Sequence, residues 1–316
     1  MFSAIVGWAV VLVGVVSAAT MLRGFVGYLG VFIVSPDWLV ILSCVALLTA
    51  IAIWGIGESL LAAAAITLLE IAGLLFVCIV AGDSFADFGQ NWRLALPGPE
   101  TTAGVISGAF IAFYAFIGFE DIVNVAEEVR NARTNLPRAI VLSLVVSTVL
   151  YLLVAAIASR AIPSDEIAMS DAPLAAIIES RGYPPGIIAG ISLFAVINGA
   201  LVQIIMASRV LYGLARNGQT YTGFGKVHRT RRTPVTATLF IGCLLLILAL
   251  FFSLSGLARA TSLLALAIFA VVNLSLWRLK HVDKRVPNFS VPRSLPMIGT
   301  IICLSMIAIE GLTVLQ

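Results

Sequence analysis

Nine long apolar runs constrain the fold of this chain more than any other feature of the sequence. A helix needs about 20 mostly apolar residues to cross the hydrocarbon core of a bilayer, and each run reaches that length. The sequence therefore predicts an all-α polytopic membrane protein. The predicted spans are residues 4–22, 38–56, 59–81, 103–126, 138–160, 185–213, 235–254, 257–277 and 295–314.

The basic residues predict how these spans are oriented. Fourteen of the 19 Lys and Arg residues fall in or beside the even-numbered loops, which the positive-inside rule places in the cytoplasm. The same rule explains the basic run Arg229–Arg232, so no nucleic-acid partner is predicted. The predicted partner is the lipid bilayer, and the predicted location is the plasma (inner) membrane, which the chain would cross many times.

Nothing in the sequence points to catalysis or to a bound metal. The two histidines lie in basic loops, and no paired acidic motif or His-rich segment is present. The sequence therefore does not favour an integral-membrane enzyme, and it predicts neither a cofactor nor a metal. The four cysteines lie inside the apolar runs and are interpreted as small apolar residues. They are Cys44, Cys78, Cys243 and Cys303.

The fourth run contains two features that are costly in lipid. Gly118 lies within it, where a residue without a Cβ weakens a helix and permits close backbone approach. Glu120 and Asp121 follow at once, and an acidic residue at this depth costs roughly 2.5 to 3.5 kcal/mol on insertion scales. The pattern indicates a functional site that faces the protein interior. The alternative is a helix end at which both carboxylates already contact water.

Three other polar positions carry weaker predictions. Glu70 lies near the centre of the third run, where a carboxyl group either carries a proton or forms a structural hydrogen bond with a neighbouring helix. Asn135 is expected to cap the fifth helix, with Pro137 in its first turn. Glu310, near the far end of the last run, is expected to reach the interface.

Four segments resemble one known family. The run FYAFIGFEDIVNVAEEVRNARTNLPRAI (Phe113–Ile140) is similar to the sixth helix and following loop of permeases of the amino acid–polyamine–organocation superfamily. SRVLYGLARNGQTYTGFGKVHRTRRTP (Ser208–Pro234) resembles the end of the eighth helix and the loop that follows. FAVVNLSLWRLK (Phe269–Lys280) resembles the end of the tenth helix, and GWAVVLVGVVSAATMLRGF (Gly7–Phe25) the third.

The resemblance implies a LeuT-type inverted-repeat helix bundle, in which substrate binds at the midplane between broken helices. It implies a secondary transporter of amino acids or related amines that works by alternating access and is coupled to a proton or cation. Tyr114 would be the aromatic lid over the substrate, Gly118 the break, and Glu120 a polar anchor or gate. Glu70 would be the coupling residue. Backbone groups facing the substrate would come from Ala115, Phe116 and Ile117.

The sequence departs from the family pattern in two ways. Ala132 stands where family members typically have a proline. The nine spans correspond to family helices three to eleven, so residues 1–316 are expected to form a single, partial transporter domain without helices one, two and twelve. The alternative to a transporter is therefore a non-transporting fragment of such a permease with a structural or interaction role only.

Overall fold

The computed structural model describes residues 2–55, 60–85, 102–282 and 291–314. These residues are almost entirely helical. Four segments are 3-10 helices, three of four residues and one of ten: Gly82–Phe85, Phe113–Phe116, Thr222–Gly225 and Phe119–Glu128. The α-helices are α1 (Phe2–Leu29), α2 (Asp37–Trp54), α3 (Leu60–Val80), α4 (Thr102–Ala112), α5 (Ala132–Ala161), α6 (Ser164–Met169), α7 (Pro173–Ser180), α8 (Gly186–Arg216), α9 (Val235–Phe251), α10 (Leu254–Val282) and α11 (Ser294–Val314).

Each of the nine predicted spans coincides with helical structure. Within the described part of the chain, seven helical segments are long and apolar enough to cross a membrane. The two remaining predicted spans coincide with shorter apolar helices at Ala64–Val80 and Val235–Phe251. The all-α polytopic prediction is therefore confirmed. The seven longer segments are Ser3–Leu29, Asp37–Trp54, Gly104–Val123, Ala132–Ala161, Gly186–Arg216, Leu254–Val282 and Ser294–Leu312.

The predicted start of the fifth helix was wrong. Helix α5 begins at Ala132, so Asn135 and Pro137 lie inside its first two turns. Asn131 has a positive φ of 52°, and its carbonyl accepts hydrogen bonds from the N–H groups of Thr134 and Asn135. The Asn135 side chain does not cap the helix and instead donates to the carbonyl of Arg130 at 2.6 Å. Pro137 has no N–H to donate to the carbonyl of Arg133, so α5 lacks one intrahelical hydrogen bond near its N-terminus.

The chain forms two compact units. The first comprises Met1–Val13, Pro97–Ser147 and Ala258–Gln316, and the second comprises Gly14–Leu96 and Thr148–Leu257. Helices α1, α5 and α10 each contribute to both units. A single transporter domain over residues 1–316 remains a prediction.

The second unit is held by close helix packing. A Cβ on Gly14 of α1 would lie 3.2 Å from Gln203 Oε1 and 3.3 Å from Ala207 Cβ, both on α8. A Cβ on Gly242 of α9 would lie 2.5 Å from Thr49 Oγ1 on α2. Such close approach is how membrane helices gain packing energy, because lipid tails remove the hydrophobic drive between them. An apolar cluster adds to this core, and its most buried members are Val77, Ala81, Ile177, Ile178, Ile188 and Ala189.

An arginine secures one end of the second unit. Arg23 of α1 donates to the carbonyls of Leu250 (3.2 Å) and Phe252 (3.0 Å) at the C-terminus of α9. The same guanidinium lies 3.6 Å from the carboxylate of Asp37 at the start of α2. A cation is stabilised at a helix C-terminus, where the last carbonyls have no intrahelical partners. Arg23 therefore links three helices of this unit.

Candidate functional site: an interrupted helix at Gly118

The fourth span changes conformation twice along its length. Helix α4 ends at Ala112 and continues as a 3-10 helix over Phe113–Phe116. Ile117 is extended (φ −69°, ψ 137°), and Gly118 has a φ of 124° before the second 3-10 helix begins at Phe119. A Cβ on Gly118 would meet no described atom within 4 Å. Glycine is needed at this position for its backbone conformation and not for space.

Glu120 binds the backbone of the interruption. The N–H of Gly118 donates to Glu120 Oε2 at 2.8 Å. The N–H of Ile117 donates to the carbonyl of Tyr114 at 3.1 Å, and the N–H of Asp121 donates to the carbonyl of Gly118 at 3.1 Å. An unpaired backbone donor in an apolar setting costs about 1–3 kcal/mol. The carboxylate of Glu120 therefore satisfies a donor that the helix has released.

One aromatic ring from α10, that of Phe269, contacts rings on both sides of the interruption within the first unit. The ring of Phe269 lies 6.1 Å from that of Phe113, edge to face, and 5.6 Å from that of Phe119. One turn earlier, Phe110 is buried against Leu266 and Ala270 of α10. Edge-to-face pairs are worth about 0.5–1.5 kcal/mol beyond the area they bury. Phe269 thus bridges the residues before and after Gly118.

Six of the predicted site residues are brought together because they share one continuous segment. Ala115 is exposed, and the others are half-buried. Glu70 belongs to the second unit, where it is half-buried on α3 and interacts electrostatically with Tyr151 of α5. Among the described residues it has no ion-pair or hydrogen-bond partner. The six residues of the segment are Tyr114, Ala115, Phe116, Ile117, Gly118 and Glu120.

The sequence pattern did not indicate the partners of this segment. Phe269 begins one of the four family-like motifs, but nothing in that motif indicates that it contacts the Gly118 region. Glu310 was placed near the interface and given no role, but it is 6% exposed and forms an ion pair with Arg259. A signal for that pair existed, since an acidic residue in an apolar helix is commonly paired with a base.

These features define a class of protein: an all-α polytopic membrane protein in which one apolar segment is interrupted at Gly118. The family profile described as "Amino acid permease" matches residues 1–314. The chain therefore belongs to the amino acid permease family, whose members are transporters and not enzymes.

Individual relatives agree with the family. The chain is 30% identical over 223 residues to the "Branched-chain amino acid permease BcaP" of Bacillus subtilis (strain 168), covering 69% of this chain and 48% of the relative. It is 29% identical over 313 residues to the "Cationic amino acid transporter 3, mitochondrial" of Arabidopsis thaliana, covering 91% and 50%. The "Methylthioribose transporter" of Bacillus subtilis (strain 168) is 30% identical over 274 residues, covering 84% and 58%. The chain spans about half the length of these curated relatives.

Proposed function

We propose that this chain is the transporting part of a secondary active transporter that carries amino acids or related amines by alternating access. The observation that carries the proposal is the interruption at Gly118, where Glu120 binds the released N–H. A helix interruption at membrane depth is tolerated only where it is buried in protein or lines a cavity. It is also the usual position of a substrate site in transporters with discontinuous helices.

The proposed substrate site is the segment from Tyr114 to Glu120. Ends of interrupted helices carry partial charges that suit the carboxylate and the ammonium of an amino acid. Tyr114 would cover the substrate, backbone groups of Ala115, Phe116 and Ile117 would bind it, and Glu120 would hold the released backbone in the conformation that binding needs. The short 3-10 turns on each side support this proposal, since they place several peptide groups around Gly118.

The proposed coupling residue is Glu70. A carboxyl group on an apolar helix, with no basic partner among the described residues, is a group that can take up and release a proton. Coupling to a proton predicts that an inward proton gradient stimulates uptake. The proposed location is the plasma membrane, with the basic loops on its cytoplasmic side.

Uptake into proteoliposomes tests the proposal. The 316-residue chain is reconstituted and supplied with a radiolabelled mixture that includes branched-chain and cationic amino acids, with and without an inward proton gradient. We expect saturable uptake that falls at least about tenfold in Glu120→Ala, because the N–H of Gly118 then lacks its acceptor. Glu179→Ala, which removes an exposed carboxylate on α7, is the matched control and should leave uptake unchanged.

The coupling proposal has its own variant. Glu70→Gln should retain uptake at equal pH on both sides and lose the stimulation by the gradient. Stimulation that persists in this variant would assign coupling to another group. The absence of saturable uptake for every amino acid in the mixture would instead favour a non-transporting chain with a structural or interaction role, an alternative that is kept because the chain spans about half the length of its relatives.

A further inference from the structure

Three polar side chains from three helices of the first unit meet in one cluster. Arg259 of α10 forms an ion pair with Glu310 of α11 through Nη1 and donates to Ser107 Oγ of α4 through Nη2 at 2.9 Å. The planar guanidinium presents its donors in fixed directions, so the bond to Glu310 also fixes where the bond to Ser107 can form. We call Ser107, Arg259 and Glu310 the arginine cluster.

The arginine cluster lies inside the apolar helices and not beyond their ends. Ser107 is five residues after the start of α4, Arg259 five residues after the start of α10, and Glu310 four residues before the end of α11. At a rise of 1.5 Å per residue, each of the three residues lies roughly 6–8 Å from the end of its helix, so the three distances from the helix ends are similar. Glu310 is 6% exposed. A charge in such surroundings is costly, and the two opposite charges offset that cost only when they remain paired.

Helix α4 depends on few contacts. It has 11 residues, and helices of this length are marginal without tertiary packing. Within Gly104–Val123, only 6% of the residues in the 18-residue apolar stretch are buried. Its described side-chain contacts are the Ser107 hydroxyl with Arg259 of α10 and, one turn later, the ring of Phe110, which is buried in one apolar cluster with Leu266 and Ala270 of α10 and Cys303 of α11. Position 107 therefore holds the part of the helix that leads directly into the interruption.

We propose that the arginine cluster is a positioning device for the interrupted helix: the Arg259–Glu310 pair holds α4 through Ser107 and thereby sets the conformation at Ile117–Gly118. This inference deepens the proposed function, because a transporter must hold its substrate site in one conformation and release it in another. Glu310 is the buried member of the pair, whereas the Arg259 side chain is 37% exposed, so the pair is by itself weak evidence for stability. The specific claim is that the pair acts on the interruption, and that Ser107 transmits the effect.

Backbone hydrogen exchange tests this claim without depending on transport. The N–H groups of Ile117 and Gly118 are bonded to the Tyr114 carbonyl and to Glu120, so their exchange reports opening of the interruption. The full chain is reconstituted in lipid nanodiscs, and exchange is followed over residues 102–123. In Ser107→Ala we expect exchange about tenfold faster over 113–118, the factor for one hydrogen bond of about 1.4 kcal/mol. Ser107→Thr keeps a hydroxyl and should restore the slow rate.

Two further variants separate positioning from general stability. Arg259→Gln and Glu310→Gln should each accelerate exchange over 113–118 at least as much as Ser107→Ala. The matched control is Arg181→Gln, which removes the ion pair of Arg181 with Asp83 in the second unit and should leave 102–123 unchanged. Unchanged exchange over 113–118 in Ser107→Ala would overturn the inference. Acceleration spread evenly over α10 and α11 would also overturn it, since that is the effect of a merely structural pair.

Protection by substrate distinguishes failure of this inference from failure of the proposed function. Adding the amino acid mixture to the unaltered chain should slow exchange over 113–118. If it does not, the proposed substrate site is wrong, while the effect of Ser107→Ala on the chain without substrate still decides the role of the arginine cluster. If protection occurs but Ser107→Ala changes nothing, the site is supported and the positioning role is refuted.

Discussion

The first span and the fourth are both apolar enough to cross a bilayer, yet they are built in opposite ways. The first, within Ser3–Leu29, is one continuous helix, and 56% of the residues in its 18-residue apolar stretch are buried. The fourth, Gly104–Val123, passes through α-helix, 3-10 helix and extended backbone, and only 6% of the residues in its apolar stretch are buried. Apolarity sets that a segment crosses the membrane, whereas small residues and polar contacts set whether it is fixed within the protein.

The difference separates positions that hold the fold from positions that hold the site. Val11, Ala18 and Ala19 of α1 are fully buried, and close helix packing of this kind supplies most of the energy available between helices in lipid. The interrupted span is held by a few aromatic and polar contacts. Substitutions in the tightly packed helices should therefore change stability, and substitutions in the interrupted span should change transport.

The largest loss of uptake is expected from Gly118→Val in the interrupted span. A β-branched residue is a genuine outlier at a φ of 124°, and such strain costs about 1–3 kcal/mol. At the upper end of that range, uptake into proteoliposomes falls roughly 100-fold. The thermal unfolding midpoint in detergent should also fall, by the part of this strain that the segment does not relieve, whereas steric overlap adds nothing, because a Cβ at this position meets no described atom within 4 Å.

Gly108→Ala is the control for this prediction. Gly108 lies on α4, and a Cβ there also meets no described atom within 4 Å, but its backbone is helical. Alanine is therefore expected to preserve both uptake and stability. Equal loss of uptake in Gly108→Ala and Gly118→Val would contradict the conformational explanation, since both substitutions add a side chain and only one adds strain.

The next effect concerns the acceptor at the interruption. Glu120→Ala leaves the N–H of Gly118 without its partner, and a hydrogen bond to a charged group is worth about 1.5–3 kcal/mol. Uptake should fall at least about tenfold. Glu120→Gln keeps an oxygen acceptor at the same distance and should retain most of the activity. A Gln variant as inactive as the Ala variant would assign Glu120 a role that needs its charge.

In the tightly packed second unit, a substitution should lower stability and leave uptake unchanged. In Gly242→Ala, the new Cβ lies 2.5 Å from Thr49 Oγ1 and 3.0 Å from its Cγ2, so the two helices must separate or the threonine must move. Overpacking of this kind costs about 1–3 kcal/mol. We expect a lower thermal unfolding midpoint in detergent. Uptake by the folded fraction should remain near that of the unaltered chain.

A second substitution makes this prediction sharper. Thr49→Ala removes the obstructing atoms, and Thr49 Oγ1 is buried with no hydrogen-bond partner among the described residues. The double variant Gly242→Ala with Thr49→Ala should therefore recover the midpoint, which a double-mutant cycle measures directly. Gly213→Ala on α8, with no described atom within 4 Å, is the control and should not lower it. Additive destabilisation in the double variant would place the strain elsewhere.

The sequence was sufficient for features that depend on neighbouring residues. Run lengths predicted the spans, and the order Gly118, Phe119, Glu120 indicated an interruption, because glycine and a carboxylate are both unfavourable within a helix in lipid. The short helices α6 and α7 were missed, since six and eight residues are too few for an apolar period. Pro163 and Pro173, at or next to their first residues, were the available signals.

Contacts between distant residues were beyond the sequence. Phe269 contacts Phe113 across 156 positions, and Arg259 binds Ser107 across 152. Each of these contacts joins residues of two different helices, so the local pattern around one residue does not identify its partner. The start of α5 was misplaced for a related reason: Arg133, Thr134 and Asn135 have the composition of a loop, yet polar residues continue a helix where its outer face meets water.

The smallest effect tests whether the aromatic bridge matters to the interrupted span. Phe269→Leu keeps an apolar side chain of similar reach but removes the ring that contacts Phe113 and Phe119. An edge-to-face pair is worth about 0.5–1.5 kcal/mol, so uptake should fall roughly two- to tenfold, chiefly through a higher KM if the rings hold the site in its binding conformation. Phe269→Tyr retains the ring and should restore the KM.

The matched control is Phe194→Leu, which removes an exposed ring on α8 and should change neither KM nor stability. A KM that is unchanged in Phe269→Leu while the unfolding midpoint falls would mean that this ring supports the fold alone, and that the interrupted span is positioned by its polar contacts.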